Sequence, residues 1–339
     1  MQGKTMRAIQ LPAYQGNIIR ALRSLEIVEN TLPALLDDEV MVEVRAAPAN
    51  PSDLAFIQGG YNVRKPLPAI PGFEGTGKIV FVGKDEHAHK LLGKRVSFFS
   101  QSERGGSWAS YTPVKAADCL ELDERIPDEQ AACFSVNPFT AYAMVELAKN
   151  NGSKAIVQNA ASGQVGRFIN SLAGMSGIAV INIVRKEEQL QKMADAGFEN
   201  VLWTQDEEFL PRLKQLATAL DARLAFDAAG GVQSGHMLSC MPEGSTLYLY
   251  GALAGRTLSE IPASDVIFKK KAITGFNMNE WKAKLPKDEF EKISRRLQQL
   301  FISGDLKTNV QGRFPLADYE KGLMQYIRGM SDGKVLLIP

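Results

Sequence analysis

The chain has 339 residues, of which 45% are hydrophobic and 23% are charged, ordinary values for a globular protein long enough for two domains. With 39 basic and 38 acidic residues the formal net charge is +1, so the composition gives no electrostatic reason to expect nucleic acid or an anionic membrane as a partner.

The first part of the chain, up to about residue 125, is predicted to form a small, irregular β domain. Residues 39–44 alternate at period two, as do parts of 77–82 and 95–99, a pattern typical of half-buried strands. Proline and glycine recur through residues 65–72, which indicates turns between the strands.

Two polar segments of this domain are candidates for chemistry. In Asn50-Pro51-Ser52-Asp53, either Asn50 or Ser52 is predicted to cap a short helix with Pro51 in its first turn. Tyr61 follows shortly afterwards and allows two interpretations. It is either a loop aromatic or a hydrogen-bond donor to a developing enolate, because a phenol with a pKa of about 10 stays protonated at neutral pH.

From about residue 127 the pattern changes to alternating helices and apolar runs. Helical stretches such as 139–149, 186–196 and 207–219 separate apolar runs at 155–158, 178–184, 223–226 and 246–250. This alternation predicts an α/β fold with a doubly wound parallel sheet, a Rossmann domain.

A glycine-bearing turn follows the first of these apolar runs and leads into a helix. Its pattern, Ala161-x-Gly163-x-x-Gly166, is the dinucleotide fingerprint with alanine in the first position. Gly163 would allow the backbone to approach a pyrophosphate, and Gly166 would allow the helix to pack closely on the strand. The helix start offers N–H groups and a positive dipole end to phosphate.

Arg185 stands at the end of the second apolar run. An NAD-binding protein would have an acidic residue there for the ribose 2′-hydroxyl, whereas a cation suits a 2′-phosphate. The sequence therefore predicts NADP(H) as the cofactor. The alternative is an ordinary strand–helix turn whose glycines serve packing, with Arg185 a solvated surface charge.

Small residues also follow the later predicted strands. Residues 226–231 and the segment Leu249-Tyr250-Gly251-Ala252 lie where parallel strands end, which would allow a ligand to approach closely. After about residue 275 come a helix at 287–303 and a closing strand at 334–338. This tail is too short for a third domain and is expected to fold back on the first, with a substrate cleft between the two domains.

Metal and nucleophile chemistry have little support in the sequence. His87 and His89 lie in a polar stretch interpreted as a solvated turn, His236 is isolated, and no ligand spacing for zinc is present. Ser162 departs from the Gly-x-Ser-x-Gly pattern of hydrolases. Hydride transfer needs no protein nucleophile and fits these residues better.

The cysteines indicate the compartment. Cys119, Cys133 and Cys240 are scattered and odd in number, which predicts a reducing environment and no disulfide framework. No apolar run approaches the length of a membrane span, and the first residues lack the apolar core of a signal peptide. We expect a cytoplasmic protein.

With these motifs in view, the chain resembles the medium-chain dehydrogenase/reductase superfamily over essentially its whole length. It is most similar to the zinc-free branch of quinone reductases and trans-2-enoyl-thioester reductases. Zinc-dependent members have a catalytic cysteine where this chain has Asn50, and Gly-His-Glu where it has Gly72-Phe73-Glu74. Residues 105–111 occupy the region of the cysteine-rich structural-zinc lobe, as in zinc-free members. The resemblance thus implies no metal.

Other segments carry the similarity to enoyl-thioester reductases. In that pattern the tyrosine matching Tyr61 is considered the catalytic hydrogen-bonding residue, and Arg185 matches the 2′-phosphate contact. Residues 275–281 resemble the segment that lines the nicotinamide, although this chain has Asn277 where a larger aromatic is common. The resemblance also implies a homodimer joined through the nucleotide-binding sheets.

The resemblance implies a GroES-like catalytic domain at residues 1–126 and 275–339 and a Rossmann NADP(H)-binding domain at 127–274. Tyr61 and Asn50 are the candidate catalytic residues. The candidate cofactor-binding residues are Asn50, Thr140, Ala161, Ser162, Gly163, Gln164, Val165, Arg185, Tyr250, Gly251, Phe276, Met278 and Lys334.

The expected activity is NADPH-dependent reduction of an activated C=C bond in an enone or 2-enoyl thioester. Two alternatives stay open, an NADPH:quinone reductase in which Tyr61 only lines the cleft, and a non-catalytic NADPH-binding protein.

Overall fold

Residues 3–339 are described by a computed structural model. The chain divides into two compact units. Unit 1 comprises Met1–Val136 and Arg295–Pro339, and unit 2 comprises Asn137–Ser294. The functional domain bounds expected from the sequence, at 126/127 and 274/275, stay a prediction.

The elements of the described chain are numbered in sequence order. The strands are β1 (Thr5–Gln10), β2 (Glu26–Thr31), β3 (Glu39–Pro48), β4 (Glu74–Val82), β5 (Arg95–Phe99), β6 (Tyr111–Lys115), β7 (Cys119–Glu121), β8 (Ala155–Gln158), β9 (Ala179–Val184), β10 (Val201–Trp203), β11 (Leu224–Asp227), β12 (Thr246–Leu249), β13 (Ala272–Gly275), β14 (Val310–Pro315) and β15 (Lys334–Ile338). The helices are α1 (Ile18–Arg23), α2 (Pro51–Ile57), α3 (Glu86–Lys90), α4 (Asp128–Ala131), α5 (Asn137–Asn150), α6 (Gln164–Met175), α7 (Glu187–Asp195), α8 (Phe209–Ala219), α9 (Val232–Cys240), α10 (Ala263–Phe268), α11 (Met278–Ala283), α12 (Lys287–Ser303) and α13 (Tyr319–Arg328).

Unit 1 contains a sheet in the order β14-β15-β3-β4-β5-β7, with β6 also paired to β3, and a two-stranded antiparallel sheet of β1 and β2. The closing strand β15 runs antiparallel to β3, with Leu337 opposite Ala47. Because β3 leads directly into Asn50, this pairing brings the first residue of β15, Lys334, to the start of α2.

The core of unit 1 is rich in aromatic side chains. Phe56, Phe73, Phe98 and Trp108 are fully buried. Burying a side chain of this size contributes roughly 1.5–3 kcal/mol relative to exposure. Phe73 contacts Phe56 edge to face at a centroid distance of 5.3 Å, so α2 is anchored to the residue before β4.

One expectation for unit 1 is wrong. His87 and His89 lie on the short helix α3 and not in a turn. Asp85 caps this helix, since its side chain accepts a hydrogen bond from the His87 amide at 2.7 Å. An aspartate at this position satisfies an N–H group that the first helical turn leaves without a partner.

Unit 2 is built on a parallel sheet in the order β10-β9-β8-β11-β12-β13. The chain order reverses between β8 and β11, which are neighbours, so the carboxyl ends of these two strands mark the topological switch point. The predicted fold class, a doubly wound parallel sheet with a second β domain, is confirmed.

Helices on both faces of the parallel sheet bury its side chains. Ile181 and Ile183 of β9 pack in one core with Leu213 of α8 and Met237 of α9. On β8, residues 155–158 are buried along their whole length, as expected for a central parallel strand. No helix among residues 3–339 is both long and apolar enough to cross a membrane.

Candidate functional site

The fingerprint turn joins β8 to α6 in unit 2, as the motif requires. Ala160 has a φ of 49°, and the turn closes through a hydrogen bond from the Gly163 amide to its carbonyl at 2.9 Å. A Cβ atom on Gly166 would lie 2.6 Å from the Ala161 carbonyl oxygen, whereas one on Gly163 would meet that of Ala160 at 3.1 Å. The helix start is therefore drawn against the turn backbone, which only glycine permits at position 166.

This turn presents α6 with its N-terminus at the carboxyl edge of the sheet. The first N–H groups of a helix lack acceptors within the helix and carry its positive dipole end. The Arg167 guanidinium donates a hydrogen bond to the Ser162 carbonyl at 3.0 Å, which fixes the turn from the helix side. Backbone donors and a close-packed turn of this kind suit the diphosphate of a dinucleotide. Ala161, Ser162, Gly163, Gln164 and Val165, all predicted contacts, lie together here.

Arg185 directly follows β9, the strand paired with β8, and is exposed. Its backbone is held in place, since its amide donates to Gln189 Oε1 at 3.2 Å and its carbonyl accepts from the Trp203 indole at 3.1 Å. In the part of the chain that the structure describes, no carboxylate pairs with the Arg185 guanidinium. A cation at this strand end suits an anionic ligand group.

The neighbouring strand ends are tied together by one buried carboxylate. Asp227 Oδ1 accepts hydrogen bonds from the amides of Ala229 and Gly230 at 2.8 and 2.9 Å, and from the side chain of Asn159 at 2.5 Å. Its other oxygen accepts from the Ser234 hydroxyl at 2.5 Å. These contacts order the segment after β11 at the switch point.

Tyr250 and Gly251 follow β12 beside this segment. A Cβ atom on Gly251 would lie 2.7 Å from the Ala228 carbonyl, so the two strand ends touch here. The Tyr250 amide donates to the Asp227 carbonyl at 2.9 Å. Burial, with a smaller contribution from the charge of Asp227, raises the pKa of the Tyr250 phenol, so the hydroxyl stays protonated.

The remaining candidates of unit 2 lie after β13 and in α5. The Phe276 amide donates to the Leu249 carbonyl at 2.8 Å, and Met278 begins α11. Asn277 caps α11, accepting from the amides of Asn279 and Glu280 at 2.9 and 3.3 Å. This gives a local reason for asparagine at that position. Thr140 is buried on α5.

Tyr61 lies in unit 1, half-buried in the loop after α2. Its ring packs on Phe73 at a centroid distance of 5.4 Å, and its phenol oxygen accepts a hydrogen bond from Gln101 Nε2 at 3.2 Å. Burial, and secondarily the negative charge of Asp53, raise the pKa of Tyr61. The phenol is thus a protonated donor over the physiological pH range.

Of the two predicted caps, Asn50 and Ser52, it is Asn50 that occupies the N-cap position of α2, with Pro51 as the first helical residue. Its amide Nδ2 donates to Glu74 Oε2 at 3.0 Å, and its Oδ1 accepts from the Lys334 ammonium group. Its backbone N–H donates to Asp53 Oδ2 at 2.8 Å. We call Asn50, Asp53, Glu74 and Lys334 the buried polar cluster.

The charges of this cluster balance one another. Burial raises the pKa of Asp53 and of Glu74 to about 7 each, against the opposing effects of hydrogen bonds and of Lys334. Burial alone would lower the pKa of Lys334, but its interactions with Tyr326, Cys133, Glu74 and Asp53 outweigh this effect and raise that pKa. Lys334 is therefore positively charged over the physiological pH range, in the same cluster as two carboxyl groups whose pKa values are about 7.

Sequence reasoning missed several of these partners. Gln101 gave no signal, since it is an isolated polar residue after β5. Asp53 and Glu74 lie inside segments already singled out, but a fully buried carboxyl group is not visible in a sequence. The side-chain bond between Asn159 and Asp227 could have been suspected, because both residues stand at predicted parallel strand ends.

Over residues 3–339 there is no group of three or more His, Cys, Asp or Glu side chains placed to hold a metal ion. Phe73, which directly precedes Glu74, offers no ligand atom.

Comparisons with known proteins agree with both units. Residues 36–124 match the family described as "Alcohol dehydrogenase GroES-like domain", and residues 165–299 match the family described as "Zinc-binding dehydrogenase". The mitochondrial enoyl-[acyl-carrier-protein] reductase of Rattus norvegicus is 30% identical over 91% of this chain and 83% of its own. That of Xenopus tropicalis is 31% identical over 95% and 93%.

Among solved structures, a Mesorhizobium loti protein assigned as an NADPH:quinone reductase is 32% identical, with a TM-score of 0.92 over 100% of both chains. The relatives therefore span both units and nearly the full length of the sequence. Together with the parallel sheet, its fingerprint turn and the GroES-like unit, they show that the chain belongs to the medium-chain dehydrogenase/reductase family.

Proposed function

We propose that this chain is an NADPH-dependent reductase of an activated carbon–carbon double bond, in an enone or a 2-enoyl thioester. The observation that carries the proposal is the Tyr61 phenol, a half-buried donor kept protonated by its surroundings, in a relative of enoyl reductases. Such a donor suits a carbonyl oxygen that gains negative charge during reduction.

The cofactor assignment rests on unit 2. The turn at residues 161–166 offers backbone donors to a diphosphate, and Arg185 offers a guanidinium to a 2′-phosphate. When bound there, NADPH supplies a hydride for the β-carbon of the acceptor. Tyr250, Gly251, Phe276, Met278 and Thr140 complete the proposed binding residues of this unit, and Asn50 and Lys334 those of unit 1.

In the proposed reaction the protein residues act on the acceptor by positioning and hydrogen bonding. Tyr61 donates a hydrogen bond to the acceptor oxygen and keeps its proton, so that the acceptor becomes an enolate stabilised at this oxygen. A proton then adds to the α-carbon. Positioning can contribute about 7–11 kcal/mol to lowering such a barrier. A positioned proton donor contributes about a hundredfold to ten-thousandfold. Asn50 was predicted to be catalytic as well, and we propose that it supports the site through the buried polar cluster.

We propose that the reaction needs no zinc. The positions that hold a cysteine and a histidine in zinc-dependent members are Asn50 and Phe73 here. Asn50 is engaged with Glu74 and with the ammonium group of Lys334. An amide and a phenyl ring are not the nitrogen and sulfur ligands that zinc requires.

Reduction of a quinone is the second candidate, favoured by the Mesorhizobium loti structure. NADPH oxidation should be assayed with a crotonyl thioester and with a benzoquinone. Faster turnover of the thioester, and its loss in Tyr61→Phe, are the results we expect. Turnover of the quinone alone would favour the second candidate, and NADPH binding without any turnover would favour a non-catalytic role.

The cofactor assignment has its own test. We expect Arg185→Glu to weaken NADPH binding by about a hundredfold or more, because it replaces an attraction to phosphate by a repulsion, and to leave NADH binding nearly unchanged. Lys214→Glu, which reverses an exposed charge on α8 of the same unit, is the control. Equal NADPH affinity in parent and Arg185→Glu proteins would overturn the assignment.

We also propose a cytoplasmic homodimer. β13 is an edge strand of the sheet in unit 2 and pairs with β12 on one side only. On α10, the side chains of Val266, Ile267 and Phe268 are 49%, 65% and 76% exposed. An apolar patch beside a free sheet edge is typical of an interface. The three cysteines are free, which suits a reducing compartment. Sedimentation of the parent and of Phe268→Glu tests the dimer, since the variant should dissociate.

A further inference from the structure

One residue of β9 breaks the pattern of its strand. The strand reads Ala-Val-Ile-Asn-Ile-Val, and Asn182 in its interior is only 1% exposed. Asparagine disfavours strands, and a buried amide costs free energy unless each of its polar atoms has a partner. A valine would serve a purely structural strand better.

Asn182 is instead the centre of a hydrogen-bond network with two other amides. Its Oδ1 accepts from Gln158 Nε2 and from Asn170 Nδ2, both at 2.8 Å. The two hydrogens of its Nδ2 are shared among three acceptors, Asn170 Oδ1 at 3.1 Å and the carbonyls of Val180 and Glu199 at 3.3 and 3.2 Å. We call Gln158, Asn170 and Asn182 the amide triad.

The triad connects three elements at the proposed nucleotide site. Gln158 is the last residue of β8, Asn170 lies on α6, and Asn182 lies on β9 three residues before Arg185. Gln158 Nε2 and Asn170 Nδ2 each also donate to the Gly166 carbonyl at 3.1 Å. The network therefore fixes the first turn of α6 against the strand that ends at Arg185.

Hydrogen bonds fix this relationship in a way that apolar packing does not. Hydrogen bonds between side-chain amides have a preferred direction and length, whereas apolar contacts allow a helix to slide along a strand. The network leaves Gln158 Oε1 buried without a hydrogen-bond partner. Such a buried, unpaired acceptor costs about 1–3 kcal/mol, so the arrangement is not the one that maximises stability.

We propose that the amide triad is a specificity-determining positioning device for NADP(H). It holds the N-terminus of α6 and Arg185 at the separation that the diphosphate and the 2′-phosphate of one cofactor molecule span. The inference rests on the proposed cofactor. Its physical basis is preorganisation: two contacts made by one ligand reinforce each other only if the protein holds both in register before binding.

The test is a comparison of dissociation constants for three ligands. NADPH engages both contacts, NADH lacks the 2′-phosphate, and 2′-AMP lacks the diphosphate. We expect Asn182→Val and Asn170→Ala to weaken NADPH binding by about tenfold, which corresponds to about 1.4 kcal/mol, and to change the binding of NADH and 2′-AMP by less than about twofold. Asn151→Ala, which removes an exposed amide that bonds one helix carbonyl, should change none of them.

Asn170→Ala guards against a folding defect. Asn170 is only half-buried, and its removal leaves Asn182 bonded to Gln158 and to two backbone carbonyls. Equal weakening of NADPH and NADH would overturn the inference, because the triad would then only shape the diphosphate turn. Unchanged NADPH binding in both variants would overturn it as well.

Arg185→Ala separates this inference from the proposed cofactor. In the otherwise unchanged protein, Arg185→Ala should weaken the binding of NADPH but not that of NADH. Adding Asn182→Val to this variant should then weaken NADPH binding little further. If Arg185→Ala leaves the preference for NADPH intact, the cofactor assignment fails. If it abolishes the preference while the triad variants bind NADPH normally, only the inference fails.

Discussion

Gln101 Nε2 donates a hydrogen bond to the phenol oxygen of Tyr61 over 3.2 Å. Because Gln101 uses an acceptor position of the hydroxyl, the hydroxyl hydrogen stays available for a further acceptor. The contact also sets the direction of the Tyr61 ring, which packs on Phe73. The phenol is therefore oriented and protonated before any substrate arrives.

Replacing this phenol tests its role directly. We expect Tyr61→Phe to lower kcat for an enoyl thioester by about a hundredfold to a thousandfold, the usual effect of removing one donor to a developing oxyanion. The dissociation constant of NADPH should stay within about twofold of that of the parent, and the midpoint of urea unfolding should stay unchanged. Steady-state kinetics and a binding titration check both points. An unchanged kcat would show that Tyr61 only lines the site and has no catalytic role.

Gly166→Ala tests the close packing of the fingerprint turn. The added Cβ would lie 2.6 Å from the Ala161 carbonyl oxygen, so the backbone must shift. We expect a loss of about 1–3 kcal/mol in the free energy of unfolding and strongly weakened NADPH binding. Gly174→Ala in the same helix meets nothing within 4 Å and should instead stabilise the protein by about 0.5–1 kcal/mol. Similar effects at both sites would contradict the packing argument.

Glu74 predicts an unusual dependence of stability on pH. Burial raises its pKa from 4.5 to about 7, so between these values the folded state holds more protons than the unfolded state. The contribution of Glu74 to stability is thus full below pH 4.5 and is lost as the pH rises through 7.

Glu74→Gln removes this titration. The stability of the parent relative to the variant should fall from pH 5 to pH 8, by at most about 1.4 kcal/mol for each pH unit. Urea unfolding of both proteins across this range measures the slope. A relative stability that stays constant across this range would show that Glu74 is already ionised at pH 5 in the folded protein.

The loop that carries Tyr61 is held by Tyr14. The Tyr14 hydroxyl accepts from the Lys65 amide at 2.8 Å and donates to the Lys65 carbonyl at 2.9 Å. Its ring packs edge to face on Phe56 and under the Arg64 guanidinium. A single hydroxyl thus forms hydrogen bonds with both the N–H and the C=O group of Lys65.

We expect Tyr14→Phe to cost about 1–3 kcal/mol of stability, because two backbone groups of Lys65 lose their partner. It should also lower kcat about tenfold, but only while Tyr61 is present. Tyr111→Phe, which removes a hydroxyl bonded to Glu43 at 2.5 Å, is the matched control and should leave kcat unchanged. An equal loss of kcat in the Tyr61→Phe background would show a general effect on the unit.

Much of the architecture could be predicted from periodicity and turn chemistry. The helix predicted at 287–303 is α12, and the closing strand predicted at 334–338 is β15. The strand β10 was not predicted, because three residues are too few for a hydrophobic pattern. It matters nonetheless, since its Trp203 holds the Arg185 carbonyl.

The candidate site was predictable only where local sequence defines it. Gly163, Gly166 and Arg185 follow from a spacing within one strand–turn–helix–strand segment. The pairing of Lys334 with Asn50 joins residues 284 positions apart and depends on the register of β15 against β3. No local pattern encodes such a contact, and the resemblance to a family gave Lys334 only as a cofactor contact.

The ammonium group of Lys334 bears on whether the buried polar cluster could hold a metal ion if ligands were introduced there. A cysteine at position 50 and a histidine at position 73 would supply ligands for a dication. The fixed positive charge beside Glu74 would still repel that ion, within a medium too dry to screen it. An engineered metal site at this position would therefore also require an uncharged residue in place of Lys334.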